Sequence, residues 1–106
     1  MQVQKEHEKL ATAHKAAKYQ FILTELDLAL TFCDVALSAD DREKTQRNTK
    51  NAQRAYDSAT HFLQEAGFSG KSKATLERKV ARLRTLLRQL NGRRKRASRQ
   101  PALRPA

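Results

Sequence analysis

The stretch YQFILTELDLALTFCDVAL, residues 19–37, holds most of the large apolar side chains of the chain. Two apolar stripes with helical spacing run along it. The first stripe consists of Ile22, Leu26, Ala29, Cys33, Ala36 and Leu37, and the second of Phe21, Leu28, Phe32 and Val35. Because one neighbour cannot cover two stripes, we expect a central helix over residues 19–38, with another helix or a second copy of the chain on each side.

Residues 1–18 are good helix formers with a thin apolar line, so they predict an N-terminal extension that is either helical or loose. They contain no apolar segment of the kind that a signal peptide requires. The longest apolar run of the chain is also far shorter than the roughly 20 residues of a membrane span. These features favour a soluble, cytoplasmic protein with no membrane partner, and the single cysteine suits a reducing compartment.

A second helix is expected near residues 40–66. Ser38 is a suitable N-cap for it, because a short hydroxyl side chain can accept a hydrogen bond from a free backbone N–H. Its apolar stripe ends just before Gly67, which is suited to the left-handed conformation of a helix C-cap.

A third helix is expected near residues 72–91, with a regular apolar seam made of Leu76, Val80, Leu83, Leu87 and Leu90. Asn91-Gly92 is expected to end it. Residues 92–106 contain both prolines and many bases, which predicts disorder. The predicted fold is therefore all-α: a small antiparallel three-helix bundle over residues 19–91 with a basic disordered C-terminal tail.

Within the second predicted helix, Ala52, Tyr56 and Ala59 follow the pattern Ala-x-x-x-Tyr-x-x-Ala. This pattern resembles the second helix of a tetratricopeptide-type hairpin, in which small and aromatic residues stand at those intervals. The resemblance covers one helix, and the preceding helix lacks the Trp, Leu-Gly and Tyr pattern of the family. It implies a helical scaffold that binds peptides or helices and is not an enzyme.

Few side chains are placed to support catalysis or metal binding. Asp57 and His61 lie one helical turn apart and could pair, but no nucleophile accompanies them. His7 and His14 are seven residues apart, and Cys33 has no second cysteine, so the ligand spacing of a metal site is missing. We therefore expect no enzymatic activity, no metal and no cofactor.

The net charge of +11 comes almost entirely from the last third of the chain. Residues 69–106 hold thirteen bases and one acid, whereas residues 39–68 hold five of each. Like-charged pairs one turn apart on the third helix would be relieved by an anionic partner. The candidate anion- or nucleic-acid-binding residues are Lys71, Lys73, Arg78, Arg82, Arg84, Arg88, Arg93, Arg94, Lys95 and Arg96.

Two functions follow from these features. The first is a non-enzymatic helical interaction module that binds an unknown protein partner or a second copy of itself. The alternative is sequence-independent nucleic-acid binding through the third helix and the tail. Base recognition is not expected, because the basic face of the third helix offers no stacking aromatic and no Asn/Gln cluster. Surface charge that only keeps the protein in solution is the simplest interpretation of the same residues.

Overall fold

A computed structural model describes the backbone of residues 2–99 and the side chains of residues 14–93. Over that part of the chain it contains three helices and no strand: α1 (Gln2–Ser38), α2 (Arg42–Ala66) and α3 (Gly70–Arg99). α1 packs against both other helices, most extensively against α2. The prediction of an all-α three-helix bundle is confirmed. The predicted N-terminal extension continues into the central helix without a break.

The connections and the contacts between side chains show an up-down-up arrangement. Phe62, near the end of α2, packs edge-on against Phe21 of α1 with the ring centroids 5.3 Å apart. At the other end of the same pair, the Thr45 hydroxyl oxygen lies 3.4 Å from the Ala36 carbonyl oxygen. α1 and α2 are therefore antiparallel, as a three-residue connection requires.

α3 returns alongside α1 in the parallel direction. Phe68, just before α3, meets Tyr19 in an edge-to-face contact with a centroid distance of 5.8 Å. Further along, the Lys79 ammonium lies 2.7 Å from an Asp27 carboxylate oxygen. α2 and α3 consequently run antiparallel, and the first half of α2 lies beside the C-terminal half of α3.

The core combines the first stripe of α1, small residues of α2 and the apolar seam of α3. Its buried residues are Ile22, Leu26, Ala29, Cys33, Ala36, Ala52, Ala55, Ala59, Phe68, Leu76, Val80, Leu83, Leu87 and Leu90. All five residues of the predicted seam are buried, and Leu37 is the only member of the first stripe outside this set. The three alanines of α2 let its backbone approach α1 closely, while larger side chains of α1 and α3 fill the volume.

The second stripe of α1 is only partly covered. Phe21 and Leu28 stay 47% and 43% exposed, and the other two members are half-buried. Leu23 and Leu30, which belong to neither stripe, are partly buried against the core instead. Of the two alternatives predicted for the second stripe, another helix or a second copy of the chain, the helices of the chain itself leave Phe21 and Leu28 exposed, and cover by a second copy stays a prediction.

The connection between α1 and α2 differs from the predicted one. Ser38 is the last residue of α1, and its hydroxyl donates to the Asp34 carbonyl at 2.7 Å. Asp41 is the N-cap of α2, with its carboxylate accepting from the Glu43 N–H at 2.9 Å. The prediction of Ser38 as N-cap is wrong, because its hydroxyl donates to a backbone carbonyl of α1 and not to the start of α2. The Asp41 carboxylate also places negative charge at the helix N-terminus, where it is favourable.

α2 ends as predicted. Gly67 is its C-cap and adopts φ 65° and ψ 38°, the left-handed region that an L-residue with a side chain enters only at a cost. α3 begins three residues later, at Gly70.

The end of α3 was predicted incorrectly. Asn91-Gly92 does not end the helix, which continues to Arg99. A glycine inside a helix costs about 1 kcal/mol relative to alanine, and the neighbouring Arg, Lys and Gln residues are favourable helix formers. α3 therefore extends into residues 92–106, the predicted basic disordered tail; residues 100–106 lie outside the described residues, and disorder of the tail stays a prediction. None of the three helices, over the residues that the structure describes, has an apolar stretch of membrane-spanning length.

Candidate nucleic-acid interface

Seven of the ten predicted anion-binding side chains can be located, and all seven are exposed on α3. They are Lys71, Lys73, Arg78, Arg82, Arg84, Arg88 and Arg93. The side chains of Arg94, Lys95 and Arg96 lie outside the described ones. Exposure leaves each located cation accessible to a ligand.

The arginines of α3 form two rows along the helix. Arg78 and Arg82 make one row and Arg84 and Arg88 the other, each pair being one helical turn apart. The second row lies toward α2, because the Arg84 Nε donates to the Tyr56 hydroxyl at 3.2 Å. The bases predicted as one site are therefore divided between two flanks of α3.

Carboxylates neutralise two of the lysines on α3. Lys73 pairs with Glu77 at 3.8 Å, and Lys79 pairs with Asp27 at 2.7 Å. Among the described side chains, none of the α3 arginines lies within ion-pairing distance of a carboxylate. The two arginine rows are thus the stronger anion-binding candidates.

A second group of bases, which the sequence analysis missed, lies on α2. The exposed side chains Arg42, Lys44, Arg47, Lys50 and Arg54 all belong to the first half of that helix. They were overlooked because the charges of residues 39–68 cancel in sum. Between residues 42 and 54 the only acid is Glu43, and this local excess could have been read from the sequence.

Antiparallel packing brings two of these bases, Arg42 and Lys50, beside the C-terminal half of α3. We call the surface formed by residues 42–54 and residues 84–93 the basic end. A groove of about 470 Å³ lies between its two helices and is lined by Arg42, Thr45, Gln46, Thr49, Lys50, Gln53, Leu90, Asn91 and Arg93. Among these described side chains, three are cations and none is a carboxylate. The groove is therefore suited to an anionic group.

The groove also contains an amide cluster that was not expected on the basic face. Gln46 and Gln53 come from α2, and Asn91 comes from α3. Because the three residues are far apart in the sequence and belong to two helices, only the packing of α2 on α3 reveals them as a cluster. The prediction that base recognition is not expected considered only the basic face of the third helix and stays untested, and the groove adds these three amides to the side chains that bear on it.

Hydrogen bonds orient several groups of the groove. The Thr49 hydroxyl donates to the Thr45 carbonyl at 2.7 Å, and the Thr45 hydroxyl donates to the Asp41 carbonyl at 3.0 Å. The Gln53 amide NH₂ donates to the Asp57 carboxylate at 3.0 Å. With their single hydrogens engaged in this way, the two threonine hydroxyls offer oxygen acceptors, Gln53 offers its amide oxygen and its second N–H, and the three cations offer donors.

The predicted Asp57–His61 pair is not formed. His61 faces Glu65 at 3.5 Å, and Asp57 is engaged by Gln53. In the part of the chain that the structure describes, no three His, Cys, Asp or Glu side chains are grouped as metal ligands would be. His61 and Asp57 each contact another side chain on the exposed surface of α2.

Cys33 is buried in the core, as its place on the first stripe indicated. Burial raises the pKa of its thiol from 9.0 to about 11, with a smaller contribution from the nearby Asp34 carboxylate. The thiol is therefore protonated at neutral pH and is a weak nucleophile.

An exposed apolar patch lies on the α1–α2 side of the bundle. It consists of Phe21, Leu28 and Phe62, each between 41% and 47% exposed. The ring of His61 adds a further edge-on contact to Phe62, with centroids 5.3 Å apart. Large exposed apolar groups of this kind are typical of contact surfaces.

Ala52 and Ala59, which carry the tetratricopeptide resemblance together with Tyr56, are buried against the core, as small residues between packed helices would be. Any amphipathic helix pair places alanines in the same way, so the resemblance stays a prediction. Comparison of the chain with protein-family models, with curated proteins and with solved structures finds no match.

Proposed function

We propose that this protein binds nucleic acid through its basic end. One observation carries the proposal: α2 and α3 bring three exposed bases, Arg42, Lys50 and Arg93, together around a groove whose described lining contains no carboxylate. Like charges held close together repel one another, and phosphates relieve this repulsion while their counterions are released. The arrangement therefore favours a ligand with several negative charges.

The spread of the cations favours a polymer over a small anion. From Arg84 to Arg93, within the basic end, the helix α3 rises by about 14 Å, at about 1.5 Å per residue. Phosphates follow one another about every 3.4 Å along a strand of duplex DNA, so this length faces several of them. A single small anion would contact only a part of the surface.

Contacts of this type position a protein on nucleic acid without reading its sequence. The arginine rows offer charge and hydrogen-bond donors to phosphate oxygens. Among the described residues, the basic end contains no aromatic side chain, and Tyr56 lies near its border. We expect strong salt dependence and modest sequence preference.

The test is a titration of a fluorescently labelled duplex DNA and a single-stranded RNA with the protein at several salt concentrations. We expect binding at about 50 mM salt and a log–log slope close to the number of phosphate contacts. Absence of any binding at this salt concentration would reject the proposal. A change of anion at constant ionic strength separates specific ion effects from charge screening.

A second candidate function is binding of a protein partner, and the exposed patch of Phe21, Leu28 and Phe62 favours it. A second copy of the chain is the simplest partner, since two such patches could cover each other. Sedimentation equilibrium at micromolar concentration tests this candidate. A dimer that Phe62→Ser dissociates would support it, whereas a monomer at all concentrations would exclude self-association.

A further inference from the structure

We propose that the groove between α2 and α3 binds one nucleotide unit, meaning a phosphate together with its sugar and base. The inference rests on the proposed function, because the groove lies within the basic end. It goes beyond that function because it assigns a binding site for one nucleotide unit. The arginine rows, by contrast, require only that the ligand be negatively charged.

The size of the groove supports this ligand class. Its volume of about 470 Å³ falls in the range of about 300–1,000 Å³ typical of sites for small organic ligands. A phosphate group alone would leave much of this space to water.

The chemistry of the lining supports it as well. Arg42, Lys50 and Arg93 donate hydrogen bonds and carry positive charge, which suits a phosphate. The Thr45 and Thr49 hydroxyls already donate to backbone carbonyls, so their oxygens accept. A fully ionised phosphate has no proton to give to such acceptors, whereas sugar hydroxyls and the amino groups of bases do.

The amides of the groove are the groups that can read a base. Asparagine and glutamine form paired hydrogen bonds with the edge of adenine, which offers both a donor and an acceptor. Gln46 and Asn91 reach the groove from opposite helices, so a base between them would meet an amide on each side. Bases of a duplex are stacked and paired, whereas those of a single strand are free to turn outward. We therefore expect the groove to distinguish single strands from duplexes.

The test uses substitutions that leave the charge unchanged. Gln46→Ala removes an amide from the groove, and Gln64→Ala makes the same change on an exposed position of α2 outside the groove. Both replace an exposed or partly exposed helical residue with a better helix former, and circular dichroism checks that both variants fold. The ligands are a labelled single-stranded RNA, a duplex DNA of equal length, adenosine monophosphate and inorganic phosphate.

We expect Gln46→Ala to weaken binding of the single strand about tenfold, as the loss of a good base contact does, and to leave duplex binding unchanged. Gln64→Ala should change neither affinity. Adenosine monophosphate should compete with the single strand and inorganic phosphate should compete far less. Binding of the free nucleotide that depends on Gln46, without the same dependence for the strand, would assign the site to free nucleotides.

Equal affinities of the Gln46→Ala and Gln64→Ala variants for both the strand and the nucleotide would overturn the inference. Competition by inorganic phosphate as strong as that by adenosine monophosphate would also overturn it, since the groove would then recognise phosphate alone. In either case salt-dependent duplex binding would remain as evidence for the proposed function. If duplex and single strand both fail to bind, the proposed function is rejected, and the mononucleotide titration still tests the groove.

Discussion

Leu26 and Leu28 stand two residues apart on α1, yet Leu26 is fully buried and Leu28 is 43% exposed. The two side chains point about 200° apart around the helix, at 100° per residue. Leu26 lies on the stripe that faces the rest of the bundle, and Leu28 lies on the partly covered stripe. The same residue type therefore contributes to stability at one position and to the exposed surface at the other.

Leu26→Asp should unfold the protein, whereas Leu28→Asp should leave it folded. Burial of a leucine stabilises a domain by about 1.5–3 kcal/mol, and the substitution also places a charge in the core of a domain whose total stability is on the order of 5–15 kcal/mol. At position 28 the cost should be about 1 kcal/mol or less. Thermal melts followed by circular dichroism compare the two variants. A Leu26→Asp melt that matches the wild type would disprove the assigned core.

Gly67→Ala and Gly92→Ala are expected to change the stability of the protein in opposite directions. Gly67 has φ 65° with nothing within 4 Å of an added Cβ atom, so Gly67→Ala should cost about 1–2 kcal/mol from backbone strain alone. Gly92 lies within α3, where alanine is favoured, so Gly92→Ala should stabilise by about 0.5–1 kcal/mol. Urea denaturation measures both differences. Destabilisation by Gly92→Ala would show that α3 is not regular at this position.

The fold was largely predictable because its strongest signals are local. The seam from Leu76 to Leu90 and the glycine at position 67 each follow from spacing and from residue chemistry. Helix ends were less predictable where two residues compete for one role, as Ser38 and Asp41 do, since the choice depends on which group each side chain contacts. Gly92 was misleading because the cost of a glycine in a helix is small beside the contribution of the surrounding turns.

Stability should decrease between about pH 9 and pH 11 because of Cys33. In the unfolded chain the thiol has its ordinary pKa of 9.0, and in the folded protein the pKa is about 11. As the pH rises through this window the unfolded state loses the proton first and is favoured, whereas below pH 9 the contribution of the buried thiol is fully present. Urea denaturation at pH 8, 9 and 10 measures the effect.

Cys33→Ala is the control for this prediction, because lysines and tyrosines titrate in the same pH range in both proteins. The alanine variant should be less stable at pH 8 but should lose less stability on going to pH 10. Parallel losses in the two proteins would show that the thiol is not protected from ionisation by burial.

The candidate interface was only half predictable. The bases of α3 stand out in the sequence because residues 69–106 contain a single acid. Those of α2 do not stand out, since the five acids of residues 39–68 balance them in a count over that range: Asp40, Asp41, Glu43, Asp57 and Glu65. The groove depends on the pairing of α2 with α3, which places Gln46 and Asn91 together although they are far apart in the sequence.

Nucleic-acid binding should depend on α2 as much as on α3. Arg42→Gln and Arg88→Gln each remove one charge from the basic end, and Lys18→Gln removes one from an exposed site on α1 toward the opposite end of the bundle. If each arginine contacts a phosphate, its loss should weaken binding to every sequence similarly and lower the salt slope by about 1. Lys18→Gln should leave the slope unchanged. Fluorescence anisotropy with a labelled duplex between about 50 and 200 mM salt measures these slopes, in the range where electrostatic binding changes most.

If Arg42→Gln behaves like Lys18→Gln while Arg88→Gln weakens binding, the interface is confined to α3. If all three variants behave alike, the basic end is not the binding surface, and its charge serves only to keep the protein in solution.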